Sequence, residues 1–322
     1  MSRGFRDILQ SAQNGSILNK EQALMLLGIG NGTSEFYELL AVANELTREA
    51  FDNKGLVFGQ AGINAEPCTK NCRFCSLGKG HYSLSSIWRR SEEEVMAEAR
   101  SFIEAGANDV FLMTTADYPV DEFLEIGRAV RRITPDSVRL VANIGDFDDD
   151  TAKDLRNVGF TGAYHIHRLR EGVDTGIPPE VRLRTLDAIK GAGLELYYCV
   201  EPIGPEHTYE ELVAEMLRAQ EYDVGVMAVM RRIPVPGTPL ATKGQISALE
   251  LTKIAAVTRL VVQPHRAMNA HEPVQMSLLA GVNQVYAETG ANPRDAEANT
   301  ERNRGMSVAR ARQMLADAEY EV

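Results

Sequence analysis

From Ser91 onward the chain repeats one unit, a helix with an apolar stripe followed by a short apolar strand. The helical segments SEEEVMAEARSFIEAGA, VDEFLEIGRAVRRI, DDDTAKDLRNVGF, PPEVRLRTLDAIKGAG, TYEELVAEMLRAQEY and SALELTKIAAVTRLV alternate with the strand segments DVFLMTT, SVRLVANIG, TGAYHIH, LELYYCV and DVGVMAVM. The strands begin near Asp109, Val138, Gly162, Leu194 and Asp223, at roughly thirty-residue intervals. Strands that are apolar throughout imply a parallel sheet covered on one or both faces, and helices between them carry the chain back to start the next parallel strand. Six or more such units in series predict an α/β fold, a (β/α) TIM-type barrel or partial barrel rather than an open sheet. No G-x-G-x-x-G or Walker fingerprint follows any of these strands.

The chain before and after the repeat reads differently. LNKEQALMLLGIG predicts a helix capped by Asn19, and TSEFYELLAVANELTREAF predicts one capped by Thr33 or Ser34. GLVFGQAGIN then reads as a strand running into a loop. Three segments follow: a helical extension over 1–54, the barrel over 55–288, and a polar tail over 289–322 that ends in an amphipathic helix. The tail is read either as a cap on one side of the barrel or as a flexible end.

The loop after GLVFGQAGIN contains CTKNCRFC, and so three of the four cysteines of the chain: Cys68, Cys72 and Cys75, spaced C-x3-C-x2-C. A structural zinc site is normally closed by four protein ligands, and the nearest fourth residue here is His81. Three thiolates in one short loop can instead hold three irons of a [4Fe-4S] cube and leave the fourth iron open to an outside ligand. The pattern alone leaves both readings standing.

A formal net charge of −11 argues against a broad nucleic-acid face, which needs a basic stripe. No run of about 18 apolar residues occurs, so no membrane span is expected. MSRGFRDILQ lacks the apolar centre of an export signal. With four cysteines in 322 residues, the expectation is a reducing cytoplasmic compartment and thiols that bind metal or react.

The cysteine spacing in a loop after a first βα-type strand, with Phe74 just before the third thiol, resembles the radical S-adenosylmethionine (SAM) superfamily. RRSEEEVMAEARSFIEAGANDVFLMTT, RLRTLDAIKGAGLELYYC, MRRIPVPGTPLA and LLAGVN are similar to its biotin synthase branch, over about Ser34 to Tyr286. That branch includes biotin synthase, methylornithine synthase and a hydrogenase-maturation enzyme. The resemblance implies a [4Fe-4S] cluster on Cys68, Cys72 and Cys75. It implies an enzyme that reductively cleaves SAM to a 5′-deoxyadenosyl radical and abstracts hydrogen from a small-molecule substrate. It also implies an electron donor such as flavodoxin or ferredoxin. Phe74 would shield the cluster. Thr114, Thr115 and Asp117 would meet the SAM amino group, though Asp117 also reads as a helix cap. Asn143 and His167 would face ribose or amino-acid atoms; His167 stands where the branch carries Asn or Glu. Arg182, with Arg184 as a near neighbour, would pair with the SAM carboxylate, and Met230 would line the adenine end.

The resemblance does not name a substrate. Biotin synthase holds a second cluster on further cysteines, whereas this chain has only Cys199, which reads as a buried strand residue or as a group near the substrate. Glu201, Arg231, Arg266 and His271, the last within Asn269 to Pro273, are the candidates for substrate contact. Their mixture of charge suits a small polar acid or amino acid in a rearrangement, fragmentation or cofactor-assembly reaction. A sulfur-inserting synthase with external sulfur and a non-enzymatic zinc- or cluster-binding module are the other two readings.

Overall fold

The computed structural model describes residues 3–272 and 274–322; Pro273, the end of the Asn269 to Pro273 stretch, lies outside the described residues. Eight parallel strands close into a barrel in chain order. They are β1 Leu56–Gly62, β2 Asp109–Met113, β3 Arg139–Asn143, β4 Gly162–Tyr164, β5 Glu195–Ile203, β6 Val226–Arg231, β7 Ala267–His271 and β8 Gln284–Thr289. The sheet closes where β1 pairs with β8, from Leu56 opposite Gln284 to Ala61 opposite Thr289.

The repeat folds as its periodicity predicts. Helices α4 Glu92–Glu104, α5 Val120–Ile133, α6 Asp149–Val158, α7 Pro179–Gly191, α8 Tyr209–Glu221 and α9 Ala248–Val262 lie in the connections between strands. Ser91 with Glu94, and Thr208 with Glu211, form reciprocal capping boxes that satisfy the first amides of α4 and α8. Before β1, α1 Arg3–Gln13, α2 Lys20–Leu27 and α3 Ser34–Ala50 pack on one another and on α8 and α9, with Asn19 and Thr33 as the caps of α2 and α3.

The tail is docked. Its helix α10 Val308–Asp317 packs on β1 and β8, and the Gly55 amide donates to the Glu321 carbonyl at 2.7 Å beneath the barrel. At the other end, residues 290–294 cross the end of β1. A side chain at Gly62 would meet the Ala291 carbonyl oxygen at 2.7 Å, and one at Gly290, which has φ +83°, would meet the Gly62 carbonyl at 2.5 Å. Only two glycines let the backbones pass this closely, and the crossing carries Arg294 over the barrel mouth.

Inward side chains fill the lumen in layers. At the bottom Arg266 Nη1 donates to Asp109 Oδ2 at 2.8 Å and to the Tyr197 hydroxyl at 3.1 Å, while Gln284 Nε2 donates to the same Asp109 oxygen at 2.9 Å. Above them Phe58 stacks on Phe111 and Tyr286 with centroids 4.4 and 5.4 Å away, and Tyr197 meets Phe111 edge-on. Arg266, expected among the substrate contacts, therefore sits at the opposite end from the mouth. It precedes β7 rather than following it, and the aromatic layer separates it from the C-terminal ends where barrel sites form.

Asp109 is fully buried and is the carboxylate partner of Arg266. Asp109→Ala is expected to cost about 3 kcal/mol, the low end for breaking a buried pair, because it strands the part-buried Arg266 guanidinium. Chemical denaturation measures this, and a change under about 1 kcal/mol would show that the bottom layer relaxes without the pair.

Candidate active site at the barrel mouth

A cavity of about 1080 Å³, counted out to its open mouth, occupies the C-terminal end of the barrel. Cys68, Cys72 and Cys75 line it together with Phe74. They reach it because β1 ends in a loop that is tied down on every side. Asn64 Nδ2 donates to Thr115 Oγ1 and Asn64 Oδ1 accepts from the Thr115 amide, both at 2.9 Å. The Gly176 amide donates to the Lys70 carbonyl at 2.8 Å, the Leu240 amide to the Arg73 carbonyl at 3.0 Å, and the Ser76 amide to the Pro293 carbonyl at 3.1 Å. Asp117 accepts from the Thr69 hydroxyl at 2.8 Å. It holds the loop and does not line the cavity, nor does it cap α5, whose cap is Pro119.

The three thiols fit an iron–sulfur cluster better than zinc. His81 Nε2 lies 3.1 and 3.0 Å from the carbonyls of Cys72 and Cys75, so that nitrogen donates to the loop backbone and supplies no fourth ligand. Thiolates on one zinc ion stand about 3.8 Å apart. Among the described residues, the ligand-atom groups gathered within 4.8 Å do not include the loop trio. The Leu77 amide donates to Cys75 Sγ at 3.4 Å, the kind of contact that tunes cluster sulfur. Burial pushes all three thiols up, and Arg168 and Arg182 oppose this at Cys72. Without a metal the thiols are neutral, so loading is coupled to proton release.

Thr114, Thr115, Asn143 and Met230, the candidates for SAM contact, line the cavity. The Thr114 hydroxyl is buried without a hydrogen-bond partner among the described residues, whereas the Thr115 hydroxyl already accepts from Asn64. Asn143 Nδ2 donates to Gln60 Oε1 at 3.2 Å. Arg182 also lines the cavity, but it is locked: Nη1 lies 3.1 Å from Asp146 Oδ1 and Nε 3.2 Å from Glu171 Oε2. Arg184 is exposed, on a separate hollow beside α6 and α7. Arg168 has spare donors: its Nε and Nη1 are buried without a hydrogen-bond partner among the described residues, and Nε sits 3.4 Å from Glu201 Oε1. Its guanidinium lies 5.9 Å from the Phe74 ring centre.

His167 is not in the cavity. Strand alternation does put His165 and His167 on one face, but Tyr164 takes the inward position, so both histidines point out. His167 Nδ1 is 2.9 Å from Glu215 on α8, and His165 Nε2 is 3.3 Å from Asp146. Burial, reinforced by Arg182 and Arg168, outweighs Asp146 and lowers His165 to about 4. Burial would raise Asp146, but the His165 hydrogen bond and the Arg182 charge outweigh it and hold it at about 2.

Glu201 and His271 line the cavity. Arg231 does not; its Nη1 reaches the Ile246 carbonyl at 3.4 Å, outside the lumen. Tyr164 donates to Glu201 Oε2 at 3.0 Å. Burial and then the Arg294 charge lower His271 to about 3, so its ring is neutral. Arg294 comes from the tail, where sequence reading placed no site residue. Its Nη2 donates to Glu288 Oε1 at 2.6 Å, and its Nη1 faces Met230 Sδ at 2.9 Å and His271 Nδ1 at 3.4 Å. Burial would raise Glu288, but Arg294 and Arg304 hold it at about 2.

Comparison with known proteins agrees with this geometry. Residues 66–240 match the family model described as the radical SAM superfamily. The chain is 28% identical over 264 residues to biotin synthase of Chlorobium luteolum, covering 77% of each protein. It is 29% identical over 260 residues to that of Geobacter sulfurreducens, again 77% of each. Among solved structures, the FeFe-hydrogenase maturase HydG from Carboxydothermus hydrogenoformans matches with a TM-score of 0.81 and 20% identity, over 98% of this chain and 78% of that one. Methylornithine synthase (PylB) matches with a TM-score of 0.78 and 19% identity, over 94% and 89%.

Because His165 is buried with its folded value near 4 against an ordinary 6.5, the unfolded chain binds more protons between these values. Its contribution is full above pH 6.5 and is lost as pH falls towards 4. His165→Gln should therefore flatten the fall in stability over that window, as read by denaturant midpoints at successive pH values. Parallel curves for the two proteins would contradict the assignment.

Proposed function

Because the chain belongs to the radical SAM superfamily, in its biotin synthase-like branch, we propose that the barrel mouth is the site at which SAM is cleaved and a small polar substrate loses hydrogen. The observation that carries this is one cavity lined by three loop thiols and, nearby, by a buried guanidinium with spare donors. Enzymes of this family use a [4Fe-4S] cluster and SAM. When bound, these supply the electron and the 5′-deoxyadenosyl radical that takes a hydrogen atom from the substrate.

The residues divide the work between them. Cys68, Cys72 and Cys75 would hold three irons, and the pinned loop fixes their positions. Arg168 is our choice for the SAM carboxylate, because a guanidinium fork suits a carboxylate and Arg182 has its Nε and Nη1 committed to Glu171 and Asp146. The unpartnered Thr114 hydroxyl is an acceptor for an ammonium group. Beside Arg168, Glu201, neutral His271 and Arg294 present an anion, a neutral ring and a cation within one lumen. That combination favours a substrate bearing both an amino and an acidic group, in a rearrangement, fragmentation or cofactor-assembly reaction. Cys199 is the sole cysteine outside the loop, which weighs against sulfur insertion from a second resident cluster.

Anaerobic reconstitution followed by assay for 5′-deoxyadenosine tests the reading. Alanine at any one of the three loop cysteines should abolish SAM cleavage. Arg168→Gln should raise the KM for SAM by about 10- to 150-fold, the equivalent of about 1.5–3 kcal/mol for a hydrogen bond to a charged group. An Arg168→Gln enzyme with an unchanged KM for SAM would reassign the carboxylate, and a cluster-loaded wild type inert towards SAM would end the proposal.

A further inference from the structure

Deeper in the lumen lies a second set of metal-ligand atoms that the cysteine loop leaves unused. Cys199 and Glu201 stand two apart on β5 and share its inward face. His271 ends β7, two strands away, and lines the cavity with Glu201. One ligand atom from each of the three lies within 4.8 Å of the others, and all three residues are buried. Ala228 of β6 pairs with Cys199 on one side and Asn269 on the other, so a single methyl group occupies the middle of that row; His271 lies two residues further along β7, opposite Met230. Asn269 is buried in the same row as Cys199, and its Oδ1 has no hydrogen-bond partner among the described residues.

We propose that Cys199, Glu201 and His271 bind one thiophilic divalent cation, zinc or ferrous iron, at the floor of the cavity. A thiolate, an imidazole and a carboxylate form a mixed set that suits zinc or iron, whereas magnesium and calcium take oxygen cages. Three protein ligands leave a position open. Glu201 and His271 face the cavity, so the open position faces the substrate rather than the barrel bottom. One thiolate and one carboxylate match the divalent cation, so the occupied site is itself neutral in a lumen that also holds Arg168 and Arg294. Whichever ring nitrogen of His271 takes the ion, the 3.4 Å contact from Arg294 Nη1 to Nδ1 must open, and that N–H becomes available to a substrate acid group. The Tyr164 hydroxyl, already on Glu201, is positioned to orient the carboxylate. The inference goes beyond the SAM reading: none of its three ligands belongs to the cysteine loop, and the two meet only where Glu201 lies 3.4 Å from Arg168.

The test uses the full chain, reconstituted anaerobically with iron and sulfide, exposed to zinc sulfate and desalted. Elemental analysis should find about one metal ion per chain beyond the four irons of the cluster. The zinc K-edge absorption spectrum should show a single sulfur in the coordination shell. Cys199→Ser and His271→Gln should each weaken zinc retention at least about tenfold, while circular dichroism and the cluster absorbance stay unchanged. A chain with no metal beyond the cluster, a zinc shell of three sulfurs, or a Cys199→Ser variant that retains zinc like the wild type would each overturn the proposal.

Discussion

Closure of the sheet, with β8 returning to pair alongside β1, is the constraint from which the rest follows. A closed eight-stranded barrel has no sheet edge, and every second side chain must find room inside it. The lumen solves this by stratifying. A charged plug of Asp109, Arg266 and Gln284 closes the bottom. Phe58, Phe111, Tyr197 and Tyr286 fill the middle. Only above this aromatic layer do polar side chains face a cavity. The site therefore opens at one end, and the loop bearing the thiols is the continuation of β1 at that end.

Charge within the mouth is arranged by pairing. Arg182 is neutralised between Asp146 and Glu171, and Arg304 with Arg294 encloses Glu288. Such buried pairs are costly to break and fix the geometry of the wall. The groups left incompletely satisfied are then the informative ones: the Arg168 donors, the Thr114 hydroxyl and the Asn269 carbonyl. Buried polar atoms normally find partners, and a ligand is a natural source of the missing ones.

Much of this was readable in advance. The thirty-residue repeat gave the barrel, because a parallel strand needs apolar side chains on both faces and a helix to return the chain. Local chemistry identified Asn19 as one cap and narrowed the other to Thr33 or Ser34, of which the structure uses Thr33. The tail left more open: nothing local in NPRDAEANTERNRG shows that Arg294 would cross the mouth, since the crossing depends on Gly62 and Gly290 meeting across a sequence gap of more than two hundred residues. His167 was misplaced for a related reason. Period-two alternation pairs it with His165 but does not say which face is the lumen, and Tyr164 takes that face. Arg231 and Arg266 failed similarly, because a residue's end of the barrel and its side of the sheet are set by register.

By itself, then, the sequence determined the fold class, the cysteine loop and the chemistry that loop invites, because those depend on residues close together along the chain. The tertiary structure decided which arginine keeps free donors, which histidine enters the lumen, and that Cys199, Glu201 and His271 converge. Those outcomes depend on strand register, on pairing between distant charges and on the space that one alanine leaves, and none of these is a property of any short segment.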